Sequence, residues 1–182
     1  MTFQLGEKLV YPNHGVATVV NISSRAFAGR FERYYLLHVP HDSLTVMVPF
    51  SHVNELRLRK LTRNGELARV LSFLAEGCCR RYQDWKDRFK ENSVRMRDGS
   101  LLAVAEVLKS LLILQSRKPL CLREKKMLET ARHISITELS TTRGLSEANA
   151  AALLEQALAK ASVVRKNSDR SSHHGIVTSR NV

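Results

Sequence analysis

Cysteine is scarce in this chain of 182 residues: Cys78, Cys79 and Cys121 are the only three. An odd count in a chain of this length argues against a disulfide framework. The adjacent pair lacks the CxxC-like spacing that a zinc knuckle needs. The three read as small apolar residues of a reducing, cytoplasmic compartment. Long apolar runs are also missing. The most apolar stretch, Leu101 to Leu114, is interrupted by Glu106, Lys109 and Ser110 and is too short and too charged to span a bilayer. The opening residues, Met1 to Glu7, contain no basic region followed by an apolar one, so no signal peptide is expected. No P-loop, GxGxxG, HExxH, GxSxG or CxxC occurs. The seven histidines are scattered, and the His173-His174 pair alone cannot fill a metal shell. These absences point away from catalysis, metal, cofactor, small-molecule substrate and membrane.

What the chain does have is positive charge. Lys and Arg number 29 against 17 Asp and Glu, a formal surplus of +12. Such a surplus favours a polyanion or an acidic protein surface as partner. It is spread along the chain without a polybasic arm, so binding would need a folded basic face. Residues 1–60 hold seven basic and four acidic side chains, which leaves that segment only mildly positive.

The patterning changes near residue 60. Before it, apolar residues recur with period two. Lys8 to Tyr11 reads as a strand, Pro12-Asn13-His14-Gly15 as a turn, and the β-branched run from Gly15 to Ile22 as a second strand. Ala28-Gly29-Arg30 marks another turn; Tyr35, Leu37 and Val39, then Leu44, Val46 and Val48, alternate as half-buried antiparallel strands do. Pro49 suits a strand end, and Val53 to Leu58 is expected to close the set.

After residue 60 the period is helical. Leu67, Val70, Leu71 and Leu74 share one face, with Thr62 or Asn64 as cap and Gly77 as stop. A second helix is expected from Cys79 to about Val94, with Asp98-Gly99-Ser100 as its break. A third carries Leu101, Ala105, Leu108 and Leu112 and ends before Pro119; a fourth runs from Leu122 to about Thr141. Gly144 stops it, and Ser146 caps a fifth that ends near Lys160. The expected architecture is therefore α+β: a small, bent antiparallel β-domain over 1–60, an all-helical domain of about five helices over 61–163, and a disordered basic tail over 164–182.

One segment mixes charge with aromatics: Arg80-Arg81-Tyr82-Gln83-Asp84-Trp85-Lys86-Asp87-Arg88-Phe89-Lys90. Its cations can reach phosphates, and an indole can stack on a base or wedge at a strained step. The i, i+3, i+7 spacing of Tyr82, Trp85 and Phe89 is, however, that of an ordinary buried face, and spacing alone would place Trp85 in the core.

The run Phe3-x-x-Gly6-Glu7-x-Leu9-Val10-Tyr11-Pro12-x-His14-Gly15-Val16 resembles the opening of the CarD/CdnL family. That module is also similar to the polymerase-interacting domain of the transcription-repair coupling factor. The likeness continues through Ile22-x-x-Arg25, Gly29, Tyr35-x-Leu37 and Leu44-x-Val46-x-Val48-Pro49. In the helical half it continues through Trp85-x-x-Arg88-Phe89-Lys90-x-Asn92, Gly99, Val104-Ala105-Glu106-Val107 and Leu120-x-x-x-Glu124-Lys125-x-Met127-Leu128-x-x-Ala131-Arg132-x-Ile134. It covers roughly residues 3 to 160.

The resemblance implies a transcription regulator, not an enzyme. Its Tudor-like β-domain would bind the β subunit of RNA polymerase through Arg25, with Met47 where some members have an arginine. Its helical domain would touch promoter DNA at the upstream edge of the bubble and steady the open complex. There Trp85 matches the family's minor-groove wedge; Arg88, Lys90, Lys86 and Arg81 would lie on the backbone. Asp87 stands where some members are basic, with Lys86 to compensate, and Cys121 replaces a common serine at a helix start, so that a cap worth ~1 kcal/mol is expected to be lost. Two other readings stand beside this one. A free-standing nucleic-acid-binding module would need the β-domain to read RNA or DNA, against its modest charge and lack of a stacking platform. A protein–protein adaptor would have Trp85 in its core.

Overall fold

A computed structural model describes residues 2–27, 30–79 and 84–171, with backbone only at 27, 30 and 161–171. The Pro12-to-Gly15 turn forms as its residues dictate: Asn13 and Gly15 both take positive φ, 67° and 90°, and His14 N–H donates to the Tyr11 carbonyl. It joins β1 (Lys8–Tyr11) to β2 (Gly15–Phe27). β3 (Arg30–Val39) and β4 (Leu44–Pro49) follow, then a 3-10 turn at Phe50–His52 and a two-residue β5 (Arg59–Lys60). The strands form one sheet in the order β4-β3-β2-β1-β5, and every pairing is antiparallel. A bulge between Val19 and Asn21 breaks the β2–β3 register, which bends the sheet and increases its twist.

The stretch from Val53 to Leu58 is not a strand. Val53 and Leu58 are buried, but they enter the core from turns, and Arg57 sits at φ 54°. The sheet closes through Arg59 and Lys60 instead, opposite Val10 and Leu9. Its core is Leu9, Ala17, Val19, Tyr35, Leu37, Val39 and Val48, with Phe3, Val53 and Leu58 from outside the strands. Tyr35 lies at the centre. Its ring stacks on Phe50 at 4.0 Å, and its hydroxyl accepts from the Phe3 N–H at 2.9 Å.

Five helices follow: α1 (Asn64–Glu76), α2 (Trp85–Asp98), α3 (Leu101–Gln115), α4 (Leu122–Arg143) and α5 (Glu147–Ser171). α1 has Arg63 at its N-cap with no side-chain cap, so neither Thr62 nor Asn64 fills that role. α5 runs past Lys160 to Ser171, into the stretch read as a tail; residues 172–182 lie outside the described residues. α3 is central, with Leu101, Val104, Ala105, Val107, Leu108 and Leu111 all buried. Lys109, whose charge counted against a membrane span, is buried too. Its ammonium donates to the Phe73 and Leu74 carbonyls at 2.8 and 2.7 Å, at the C-terminal end of α1, where the Phe73 carbonyl also accepts from the Gly77 N–H. No helix among the described residues is long and apolar enough to cross a membrane.

The two halves meet along a polar seam. Gly99, at φ 75°, ends α2 against Pro12: a Cβ there would lie 2.8 Å from the proline ring. Gly15 faces α4 at ordinary contact distance, a Cβ there lying 3.5 Å from Thr137 and 3.7 Å from Ile134. Arg59 of β5 grips Glu138 of α4 with both terminal nitrogens, at 2.6 and 2.8 Å.

Candidate nucleic-acid and polymerase interfaces

α2 begins later than its aromatic spacing suggests. Asp84, not a residue near Cys79, is the N-cap, and its carboxylate accepts from the Lys86 N–H at 3.2 Å. Trp85 is therefore the first helical residue, and 51% of its surface is exposed. Arg81 and Tyr82 lie outside the described residues. Phe89 is half-buried.

From there α2 sorts its residues by face. Arg88, Asn92 and Met96, at i, i+4 and i+8, point inward and are buried. Lys86, Lys90, Val94 and Arg97 form an exposed stripe, the spacing of one helix face. Asp87 is exposed beside them.

Arg88 corrects the sequence reading. It was expected on DNA phosphates, but its side chain is buried. Its Nε and Nη2 donate to one oxygen of Glu124 on α4, at 3.1 and 2.7 Å. The other Glu124 oxygen accepts from the Cys121 N–H at 3.2 Å. A capping box thus survives at the start of α4 in spite of the cysteine, the Cys121 side chain facing the Glu124 N–H and the Glu124 carboxylate the Cys121 N–H. Burial pushes the Glu124 carboxyl upward, but the Arg88 hydrogen bonds, the Cys121 N–H and the Arg88 charge together outweigh it and hold the group below the usual carboxylate range.

The Arg88–Glu124 pair brings the start of α4 against α2. Around that start Arg117, Lys118, Arg123, Lys125 and Lys126 are all exposed, and Leu122 is 84% exposed. The sequence pattern gave no reason to join these residues to the Trp85 segment. They lie about thirty positions further on, and the link is a single ion pair across |i−j| = 36.

On the sheet, Arg25 of β2 stands opposite Glu32 of β3, and Met47 of β4 opposite Leu36. Tyr35, Leu37 and Val48 fill the core face, so by alternation Arg25 and Met47 flank β3 on the other face. Arg25 is exposed and has no ion pair among the described residues; Met47 is 38% exposed. Among the described residues no group of three or more His, Cys, Asp or Glu side chains could hold a metal ion.

A bent five-stranded sheet followed by a helical bundle with a basic, Trp-bearing helix end is the geometry of a two-part binding protein. Residues 3–62 match the model of the CarD-like/TRCF RID domain, an RNA-polymerase-interacting module, and residues 69–155 match that of the CarD C-terminal domain. A Bacillus subtilis (strain 168) protein named "Putative transcription factor YdeB" is 31% identical over 145 residues, covering 80% of this chain and 95% of that protein. The chain belongs to the CarD family of transcription factors.

Proposed function

We propose that the sheet, residues 1–60, holds the β subunit of RNA polymerase through the face bearing Arg25 and Met47, while the helical domain from residue 61 steadies the open promoter complex. Polymerase binding raises the local concentration of the helical domain at the bubble. Trp85 then props the opened step at its upstream edge, and Lys86 and Lys90, with the basic start of α4, lie on phosphates. Arg88 holds α2 in place and touches no DNA. Phosphate contacts carry no sequence information, so the regulator acts with little sequence preference.

The observation that carries this reading is the half-exposed indole of Trp85 beside exposed Lys86 and Lys90. It speaks against an adaptor with Trp85 in its core. A free-standing nucleic-acid module is disfavoured by the only mildly positive sheet, and tight DNA binding without polymerase would revive it.

Stacking of this kind contributes ~1–3 kcal/mol per base. Trp85→Ala is therefore expected to shorten open-complex lifetime about tenfold while polymerase co-purification is retained. An unchanged lifetime removes the wedge.

A further inference from the structure

Glu138 is fully buried toward the C-terminal end of α4, and its donors come from Arg59 of β5 and from Thr62, just before α1. Arg59 donates from both terminal nitrogens, and Thr62 donates from its N–H at 2.9 Å and its hydroxyl at 2.7 Å. The Arg59 fork is used up as well. Its Nε donates to the Gly99 carbonyl at 2.8 Å, and Nη1 also reaches the Lys60 carbonyl at 3.1 Å. One guanidinium thus joins β5, the turn that ends α2, and α4.

A buried ion pair is weak evidence for stability, because desolvation offsets much of its attraction and an apolar replacement is often as stable. Geometry is what such a pair can fix. Here that geometry involves the Trp85 helix. α2 has its indole at the first residue and the Arg59-bound carbonyl just beyond the last, 14 helical residues away. At 1.5 Å per residue this is a lever of ~20 Å, so a tilt of ~10° at the clamp moves the indole by ~3 Å. The Arg88–Glu124 pair ties the Trp85 end of α2 to α4, the same helix that carries Glu138. The two pairs together hold α2 at both ends; toward the sheet the Arg59 fork acts with the Arg57–Asp98 pair at 3.0 Å and with the packing of Gly99 on Pro12.

We propose that Arg59 and Glu138 are positioning residues that set the angle between the polymerase-holding sheet and the Trp85 helix, and that promoter-complex stabilisation depends on this fixed angle. The inference rests on the function proposed above. Neither residue touches DNA or polymerase in this scheme: each half binds its partner without the clamp, but the two contacts then no longer fall in register. Linked contacts lose their mutual reinforcement when geometry forbids simultaneous engagement.

The test uses the full chain with Arg59→Leu and Glu138→Leu combined, which removes both charges and leaves neither orphaned. Amide residual dipolar couplings report the domain angle. Wild-type couplings from both halves are expected to fit one alignment tensor, and those of the variant to need two. Polymerase co-purification and free-DNA affinity should stay at wild-type levels while open-complex lifetime falls at least about tenfold. If the double variant does not fold, Glu138→Gln, which keeps the shape and removes the charge, carries the same measurements. One shared tensor in the folded variant overturns the clamp. Two tensors with a wild-type lifetime overturn its role in function. Trp85→Ala, run in parallel, separates the two ideas. If it shortens the lifetime and the clamp variant does not, only this inference falls; if wild-type protein does not lengthen the lifetime at all, both fall.

Discussion

The outer face of the sheet and the first turn of α2 are both exposed, but they differ in chemistry. The sheet face carries Glu32, Leu36 and Met47, and Arg25 faces the Glu32 carboxylate across the ladder. Mixed charge and apolar area suit a protein surface, where complementarity sets orientation. The α2 face instead sets an indole beside Lys86 and Lys90, with further cations at the start of α4. Concentrated cations around a planar ring suit a polyanion with stackable bases. The net surplus of +12 describes neither face. The cations that matter are those left unpaired, and the structure removes Arg88 from that set and adds Arg97, Arg123 and Lys126.

The largest effect expected from breaking this comparison is at Arg88. Arg88→Ala leaves Glu124 buried without its partner, which costs ~3–5 kcal/mol. For a chain of this size each kcal/mol lowers Tm by about 2–4 °C, so a fall of about 10 °C in a melt followed by circular dichroism is expected. A phosphate contact would leave Tm unchanged, and that result would return Arg88 to the DNA face. The pair is also pH-dependent with a definite sign. Glu124 is held below its ordinary range, so its contribution is complete above that range and is lost as pH falls through the lowered value.

Charge reversals on the two faces should separate cleanly. Arg25→Glu is expected to weaken co-purification with the polymerase β subunit severalfold and to leave free-DNA affinity alone. Lys90→Ala should do the opposite, weakening DNA binding and reducing the salt slope by about one unit, as the loss of one phosphate contact does. If both variants weakened the same partner, the division of labour between sheet and bundle would be wrong.

How much of this was legible in the sequence depends on the range of the interaction. Turns and strands were legible because Pro12, Asn13 and Gly15 act within four residues, and the alternation around Tyr35 reports one buried face. The helices after residue 60 were legible for the same reason, through their 3.6-residue period. The start of α2 was misplaced because Tyr82, Trp85 and Phe89 keep helical spacing across Asp84, and a cap signal is weaker than a hydrophobic period. Arg88 was misassigned because its partner lies 36 positions away, and the Arg59–Glu138 clamp, at 79 positions, left no local trace. A charged residue looks the same in sequence whether it faces water or a buried carboxylate.

The smallest effect concerns the seam where the β3–β4 turn meets α4. The His41 and His133 rings stack with centroids 3.4 Å apart. Asp42 lies beside them and is bonded to His14 of the β1–β2 turn, while Lys8 of β1 and Glu147 of α5 line the same cleft. Burial, then the charge of His41, lowers the His133 pKa, and Glu147 and Asp42 oppose this only in part. The folded chain therefore binds fewer protons at this site than the unfolded chain does, from about pH 6.5 down to the lowered value. Stability contributed by neutral His133 is complete above that window and declines as pH falls through it. Because His133 is only half-buried, the slope should be shallow. His133→Gln should flatten the fall in Tm between about pH 7 and pH 5.5. Superimposable pH profiles for the two proteins would mean that the seam is indifferent to the charge of His133.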